Sequence, residues 1–389
     1  MRILAICTRI PEEGKKGDQV LSFHRICYLA RNHQIKLICF GDPKWDLKAK
    51  QKLQSVGISV HFIRWNYVEA LVNIFRSVFD KDTPFQCALF KSTSFHKALE
   101  TTVLEFKPNI FYAVTIRVIP NIGVNNLPLF VDLVDSAALN FSRRANMESG
   151  LKRFLIKIEH ERLKTYESKV VQRAWLSFVV SSIDQKVIGS DKVRIIPLGI
   201  DGQQFYKNAN GNLDPVIVFS GNMNYKSNED AILWFYQNCW DKLKLAKPDI
   251  RLVIAGSNPT SAVTSLCVDS AVTVTGRVPS IAAVINSALV SIAPMQSGSG
   301  MQFKILEAMA CGVPVVASSL GLGDIKAKVH KDLLIADMPD EFVQSVLSLL
   351  QSEELRLQIG NSGLQYVNKN HTWDVLNAKF EALAFATFR

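Results

Sequence analysis

Short apolar runs rich in β-branched residues recur along the whole chain, each separated from the next by a stretch of helical periodicity. That alternation restricts the fold more than any other feature. In the first half the runs fall at 2–7, 35–40, 58–63, 109–114, 128–133, 175–180 and 193–196. Strands of this kind, joined through helices, are predicted to lie parallel in a doubly wound sheet with helices on both faces. The second half repeats the scheme with runs at 215–220, 251–255, 271–275, 289–293 and 313–317. Helices predicted over 340–351 and 353–367 then lead to His371-Thr372-Trp373 and a last helix. The breakers in Ile196-Pro197-Leu198-Gly199-Ile200-Asp201 place a domain boundary there. The expectation is therefore an α/β chain with domains at 1–198 and 199–370, and a helix in 371–389 crossing back to the first domain. Two consecutive domains of this class put a ligand site between them, at the C-terminal ends of both sets of strands.

Composition bounds the function class. The chain has 389 residues, 48% of them hydrophobic and 21% charged, which suits two globular domains and excludes a disordered or fibrous chain. The N-terminus reads as a buried strand, and no run reaches the roughly 18 apolar residues of a transmembrane helix. Seven cysteines are scattered without any C-x-x-C, as in a protein with reduced thiols. The expected location is the cytoplasm, with peripheral contact on the inner face of the membrane. Charge is one-sided. Residues 1–200 hold 30 Lys+Arg against 18 Asp+Glu, and residues 201–389 hold 15 against 17. A net of +12 beside a net of −2 suggests an anionic partner for the first domain, either membrane headgroups or a phosphorylated substrate.

The strongest local signal runs from Gly298-Ser299-Gly300-Met301-Gln302 to Val316. A strand ends near Ala293, a glycine-bearing loop follows, and a helix is predicted to begin around Gly300. Gly300, Lys304, Glu307 and Cys311 then share one face, and Gly312 supplies the helix stop. The pattern fits a nucleoside diphosphate. Loop glycines let backbone N–H groups approach phosphate oxygens at a helix N-terminus. Lys304 adds a full charge, and Glu307, one turn deeper, can accept both hydroxyl protons of a ribose.

This stretch resembles the donor-binding helix of retaining GT-B glycosyltransferases of family 4, the glycosyl transferases group 1 type. Four further segments carry the resemblance over nearly the whole chain. Gly14-Lys15-Lys16-Gly17-Asp18, followed by Ser22, His24 and Arg25, is similar to the K-G-D loop of exopolysaccharide-associated sugar transferases. Asp132-Leu133-Val134-Asp135-Ser136 resembles their D-x-x-D-S segment. Ser220-Gly221-Asn222-Met223-Asn224-Tyr225 through Ala231 resembles the turn that opens their second domain, and Thr275-Gly276-Arg277-Val278 the segment that packs on the nucleobase. The resemblance implies a GT-B fold, two Rossmann-like domains facing across a cleft. It implies a UDP- or GDP-sugar donor, a glycan or lipid-linked acceptor, retention, no metal and no other cofactor, in surface polysaccharide synthesis. It assigns catalytic roles to Asp135, Lys304 and Glu307. Substrate contacts fall to Gly17, Asp18, Gly221, Asn222, Lys226, Arg277, Val278, Gly298, Ser299, Gly300, Met301 and Gln302. In two places the chain departs from the family pattern. Ser299 stands where many members have a second glutamate, and Gly221-Asn222 where many carry an arginine. Lys304, helped by Lys226, is expected to neutralise more of the diphosphate.

Other signals are weaker. Asp80-Lys81-Asp82 matches a manganese-binding D-x-D but reads as a solvated loop before Thr83-Pro84. There is no G-x-G-x-x-G after the first strand, no P-loop, no paired-histidine zinc motif and no nucleophile elbow. Val68, Leu71, Val72, Phe75, Val78 and Phe79 follow helical spacing. They are expected to pack a helix on the first domain's sheet, with an interfacial, membrane-dipping helix as the alternative. The rival functions are a nucleotide-sugar epimerase of the same fold and a nucleic-acid-binding protein. The motif order argues against the first. The second lacks a recognisable module, so no nucleic-acid partner is expected.

Overall fold

A computed structural model describes the whole chain except residues 14, 81, 124–125, 147, 209–213, 298–300 and 387–389. The chain forms two compact units. One comprises Met1–Leu198 together with the segment from Leu376 onward, and the other Gly199–Val375.

The first unit is built on seven parallel strands. They are β1 (Arg2–Cys7), β2 (Gln34–Phe40), β3 (Ser59–Ile63), β4 (Ile110–Val114), β5 (Leu129–Val134), β6 (Leu176–Val179) and β7 (Val193–Ile195). They lie in the order β3-β2-β1-β4-β5-β6-β7. The central strands are apolar on both faces because helices cover both: every residue of β4 is buried, and β1 is buried from Ile3 to Cys7. The order reverses between β1 and β4, which stay paired to their last residues, Cys7 and Val114. The chain leaves them toward opposite faces of the sheet, and the crevice outside their C-terminal ends is the one this topology uses for ligands. On one face the core includes Ile3, Tyr112, Phe130 and Phe178, joined by Leu376, Phe380 and Phe385 of the last helix, Trp373–Phe385.

The second unit has six parallel strands. They are β8 (Val216–Ser220), β9 (Arg251–Ala255), β10 (Val272–Gly276), β11 (Val290–Ala293), β12 (Val315–Ala317) and β13 (Leu334–Ile335), in the order β10-β9-β8-β11-β12-β13. Here the switch falls between β8 and β11. The strand β13 has no counterpart among the sequence-based expectations; two residues are too short to show a period. The helices Pro339–Gln351 and Glu353–Asn370 lie close to where periodicity puts them.

Two expectations are corrected. The helix after β11 runs Phe303–Ala310, so Met301 and Gln302 are not helical, and Gln302 is its N-cap in extended conformation. The expected start at Gly300 lies outside the described residues. The helix Tyr67–Phe79 does not pack its apolar stripe on the sheet. Its inward face is Ala70, Asn73, Ile74 and Ser77, and Val68, Leu71, Val72, Phe75, Val78 and Phe79 are exposed. Polar anchoring fixes this orientation. Glu69 accepts hydrogen bonds from the Thr93 amide at 2.7 Å and the Ser92 hydroxyl at 3.1 Å, and the Asn73 amide donates to the Lys91 carbonyl at 2.8 Å.

Candidate active site

In the second unit, glycines shape the ends of three adjacent strands. β8 ends at Ser220 and the chain turns at Gly221, whose φ of 153° disfavours a side chain. Gly256, just beyond β9, has φ 144°, and a Cβ there would stand 1.7 Å from the Gly221 carbonyl oxygen. The Gly221 amide donates to the Ala255 carbonyl at 3.0 Å and the Gly256 amide to the Gly276 carbonyl at 3.1 Å. Backbone thus packs on backbone across the C-terminal edge of the sheet, which holds the Gly221-Asn222 turn in place.

Asn228, in the helix Lys226–Phe235, ties that turn to the helix after β11. Its Nδ2 donates to the Asn222 carbonyl at 2.9 Å, and its Oδ1 accepts from Lys304 Nζ at 2.5 Å. The Lys304 ammonium also lies 3.6 Å from the Met295 sulfur and 4.4 Å from the centroid of the Phe219 ring. Lys304 is buried and no described carboxylate forms an ion pair with it within 4 Å. Burial holds its pKa down to about 7, against the pull of Glu307. One turn along the same helix, burial pushes the Glu307 carboxyl up to about 7, and Lys304 opposes the shift. A lysine and a glutamate that share a helix face and both titrate near neutrality can meet an anionic ligand and a pair of hydroxyls.

The remaining second-unit sites assigned from sequence fall in four groups. Lys226 is exposed and paired with Glu229 at 3.1 Å and Asp230 at 2.8 Å on its own helix. Arg277 is exposed just past β10, with Val278 half-buried beside it. Met301 and Gln302 are half-buried, and Gln302 occupies the N-cap position of the Lys304 helix without a side-chain capping bond. Gly298, Ser299 and Gly300 lie outside the described residues. Just before them, the Ser297 hydroxyl donates to that of Ser227 at 3.2 Å, linking this loop to the Asn228 helix.

In the first unit, Gly17 and Asp18 open the helix Gly17–Leu29, and Asp18 faces Arg9 at 3.6 Å. A Cβ on Gly17 would meet nothing within 4 Å. Asp135 follows β5. Val134, just before it, holds φ 70°, and Thr115, at the end of β4, holds φ 68°. For β-branched residues that conformation is strained by about 1–3 kcal/mol. Both strained residues flank the C-terminal ends of central strands. Asp135 itself is exposed, while the protein crowding its carboxyl raises the pKa against a hydrogen bond from Asn140.

Two carboxylates that the sequence reading passed over fix the Asp135-Ser136 segment. Asp184 accepts from the Ser136 amide at 2.9 Å; Glu167 accepts from the Ser136 hydroxyl at 2.7 Å and the Ala137 amide at 3.0 Å. Burial raises Glu167 to about 7. Arg25 and Asp132, drawn from two of the recognised motifs, form a fully buried ion pair, to which Tyr112 donates at 3.0 Å. Asp80 accepts from Thr83 at 2.8 Å and Asp82 pairs with Lys169 at 2.6 Å, as solvated turn carboxylates do. Among the described residues no group of three His, Cys, Asp or Glu stands close enough to hold a metal ion.

Residues 214–352, the greater part of the second unit, match the family "Glycosyl transferases group 1". The chain is 34% identical over 102 residues to the Glycosyltransferase 1 domain-containing protein 1 of Xenopus tropicalis, covering 26% of this chain and 27% of that protein. The alignments thus span about a quarter of the length of the curated relatives. Solved structures match over the full length. Anabaena HepE in complex with UDP superposes with a TM-score of 0.64 at 14% identity, over 99% of this chain and 100% of that one. The sucrose-phosphate synthase of Thermosynechococcus elongatus gives 0.64 at 13% identity, over 100% and 99%. The fold is GT-B: two Rossmann-like α/β units with parallel sheets.

Proposed function

We propose that the chain is a glycosyltransferase that transfers a sugar from a nucleoside-diphosphate sugar to a glycan or lipid-linked acceptor. One observation carries the reading. Lys304, buried and lacking a close described carboxylate, is joined through Asn228 to the glycine-framed turn at the end of β8. A diphosphate at that place would find backbone N–H groups and one full positive charge. Glu307 would take the ribose hydroxyls, and Arg277 and Val278 would flank the base. The match of the second unit to a glycosyltransferase family supports the same assignment. HepE is recorded with UDP and with UDP-glucose, so a uridine donor is the first to try here, with GDP-sugars next.

In this reading the protein contributes orientation and preorganised charge. Lys304 and the helix dipole stabilise the leaving diphosphate, and Asp135 is the carboxylate of the first unit assigned to the reacting centre. Transfer proceeds with retention and without a divalent metal, in the synthesis of surface polysaccharide. A thermal-shift panel of UDP-, GDP- and CMP-sugars identifies the donor. At about 100 times its dissociation constant a ligand stabilises by roughly 2.7 kcal/mol. Release of nucleoside diphosphate should then require an acceptor and survive EDTA. Product formation from donor alone would favour the epimerase reading, and activity restored only by manganese would return Asp80 and Asp82 to consideration.

A further inference from the structure

The exposed stripe of the Tyr67–Phe79 helix is not isolated. Phe75 is 67% and Phe79 76% exposed, and their rings meet edge to face at 5.6 Å in solvent. The C-terminal end of this helix is clamped by Arg162, whose guanidinium donates to the Ser77 and Asp80 carbonyls and lies over the Phe85 ring at 4.5 Å. Arg162 belongs to the helix Gly150–Arg173. Counting back from it by helical spacing gives Ile158, Leu155 and Leu151, with Phe154 beside them, and all four are exposed. Leu151 is 74% and Phe154 60% exposed, while the opposite face of that helix is buried through Ile156, Glu159 and Leu163. Two helices of one unit therefore turn apolar side chains outward along a line that meets at Arg162.

The rim of this line is basic. Between residues 143 and 158 the chain holds five Lys or Arg and one acid, Glu148, which pairs with Lys152 at 2.6 Å. Arg143, Arg144, Arg153 and Lys157 are exposed there, and Arg64 and Arg76 are exposed on and beside the first helix. Of the first helix's own charges, Glu69 and Arg76 are seven residues apart on one flank, where both line a cavity with Asn73 and Ser77, so the apolar stripe itself carries no charge. Three exposed acids stand at or beside the clamp: Asp80, Asp82, which pairs with Lys169 at 2.6 Å, and Glu161.

We infer that these two helices form a docking surface for an anionic lipid bilayer. Aromatic and aliphatic side chains would enter the headgroup region, and the arginines and lysines would contact lipid phosphates. Charge complementarity selects this occupant. A protein partner would not need five basic residues beside an apolar line. A bilayer both solvates aromatic rings and attracts Lys and Arg at its surface. No described helix is long and apolar enough to cross a membrane, so the contact would be interfacial. The inference does not depend on sugar transfer, because the test uses neither donor nor acceptor.

The test is flotation of the full chain with phosphatidylcholine vesicles, with and without phosphatidylglycerol. The protein should rise with the anionic vesicles at low salt and stay behind at high salt, as surface charge is screened. Phe75→Ser with Phe79→Ser, and separately Leu151→Ser with Phe154→Ser, should each lower the partition coefficient by about tenfold or more. The control pair Leu245→Ser with Val268→Ser removes exposed apolar residues of the other unit and should change nothing. Should a test variant unfold, amide exchange on the unaltered protein replaces it. Vesicles should then slow exchange in 67–79 and 150–158 and nowhere in the second unit. Failure to float with anionic vesicles at low salt would overturn the inference. So would equal flotation with pure phosphatidylcholine, or a concentration-dependent dimer that shows no flotation.

Discussion

Lys304 and Glu307 are where single side chains decide most. Both are displaced toward pH 7 by burial, in opposite directions. An anionic diphosphate restores the charge on Lys304, so binding above about pH 7 requires proton uptake there. Affinity should fall as pH rises through that range, by at most about tenfold per unit. Ribose hydroxyls need Glu307 ionised, so below about pH 7 binding requires release of its proton, and affinity should fall again. Calorimetric titration of the donor from pH 5.5 to 9 should give a bell. Lys304→Ala should remove its alkaline limb and Glu307→Gln its acid limb. Glu307→Gln should also weaken binding by about ten- to a hundredfold, the worth of a hydrogen bond to a charged group. Unchanged limbs in both variants would refute the assignment. The Lys304–Glu307 spacing is legible in sequence because i and i+3 share a helix face. Asn228 is not, since it reaches Lys304 from 76 residues away. In the first unit the buried Arg25–Asp132 pair makes a separate prediction. Asp132→Asn leaves a guanidinium in the core with reduced compensation and should cost about 3–5 kcal/mol by chemical denaturation.

Among elements, turns matter more than helices. The ends of β8 and β9 meet through backbone atoms at Gly221 and Gly256, with no flexible side chain to move aside. Gly256→Ala should therefore cost about 3 kcal/mol or more, by steric overlap and by its positive φ, and should weaken donor binding. Gly202→Ala, where a Cβ meets nothing within 4 Å, should change stability by only a few tenths. Equal melting temperatures for the two variants would show that the turns are not locked together. Periodicity alone locates nearly every strand, because a parallel strand buried on both faces is a continuous apolar run. It misplaces the facing of the Tyr67–Phe79 helix. An amphipathic pattern says that two faces differ, and the inward anchors Glu69 and Asn73 then put the polar one inside. The strain at Thr115 and Val134 is equally invisible in sequence, since neither residue type favours positive φ.

At the scale of the whole molecule, the chain leaves the first unit after Leu198 and returns to it at Leu376. The two passages lie side by side in the second unit, where the Ile200 amide donates to the His371 carbonyl at 2.7 Å. The returning helix completes a distant core. Phe380 is 1% exposed, packs on Tyr112 and Phe178, and lies under the Arg25 guanidinium at 4.4 Å. Phe380→Ala should cost about 3–5 kcal/mol. Amide exchange should then speed up in β1, β4 and β5 and remain unchanged in the second unit's strands. Acceleration confined to the second unit would contradict this packing. By itself the sequence determined the α/β class, the two-unit division and the strands, because these depend on local periodicity and breakers. Tertiary structure alone decided that Asn228 joins Lys304 to the Gly221 turn, that Glu167 and Asp184 hold the Asp135 segment, and which face of the 67–79 helix meets solvent. Those outcomes depend on contacts between residues far apart in the chain, and no local pattern encodes which distant partner a buried polar group will find.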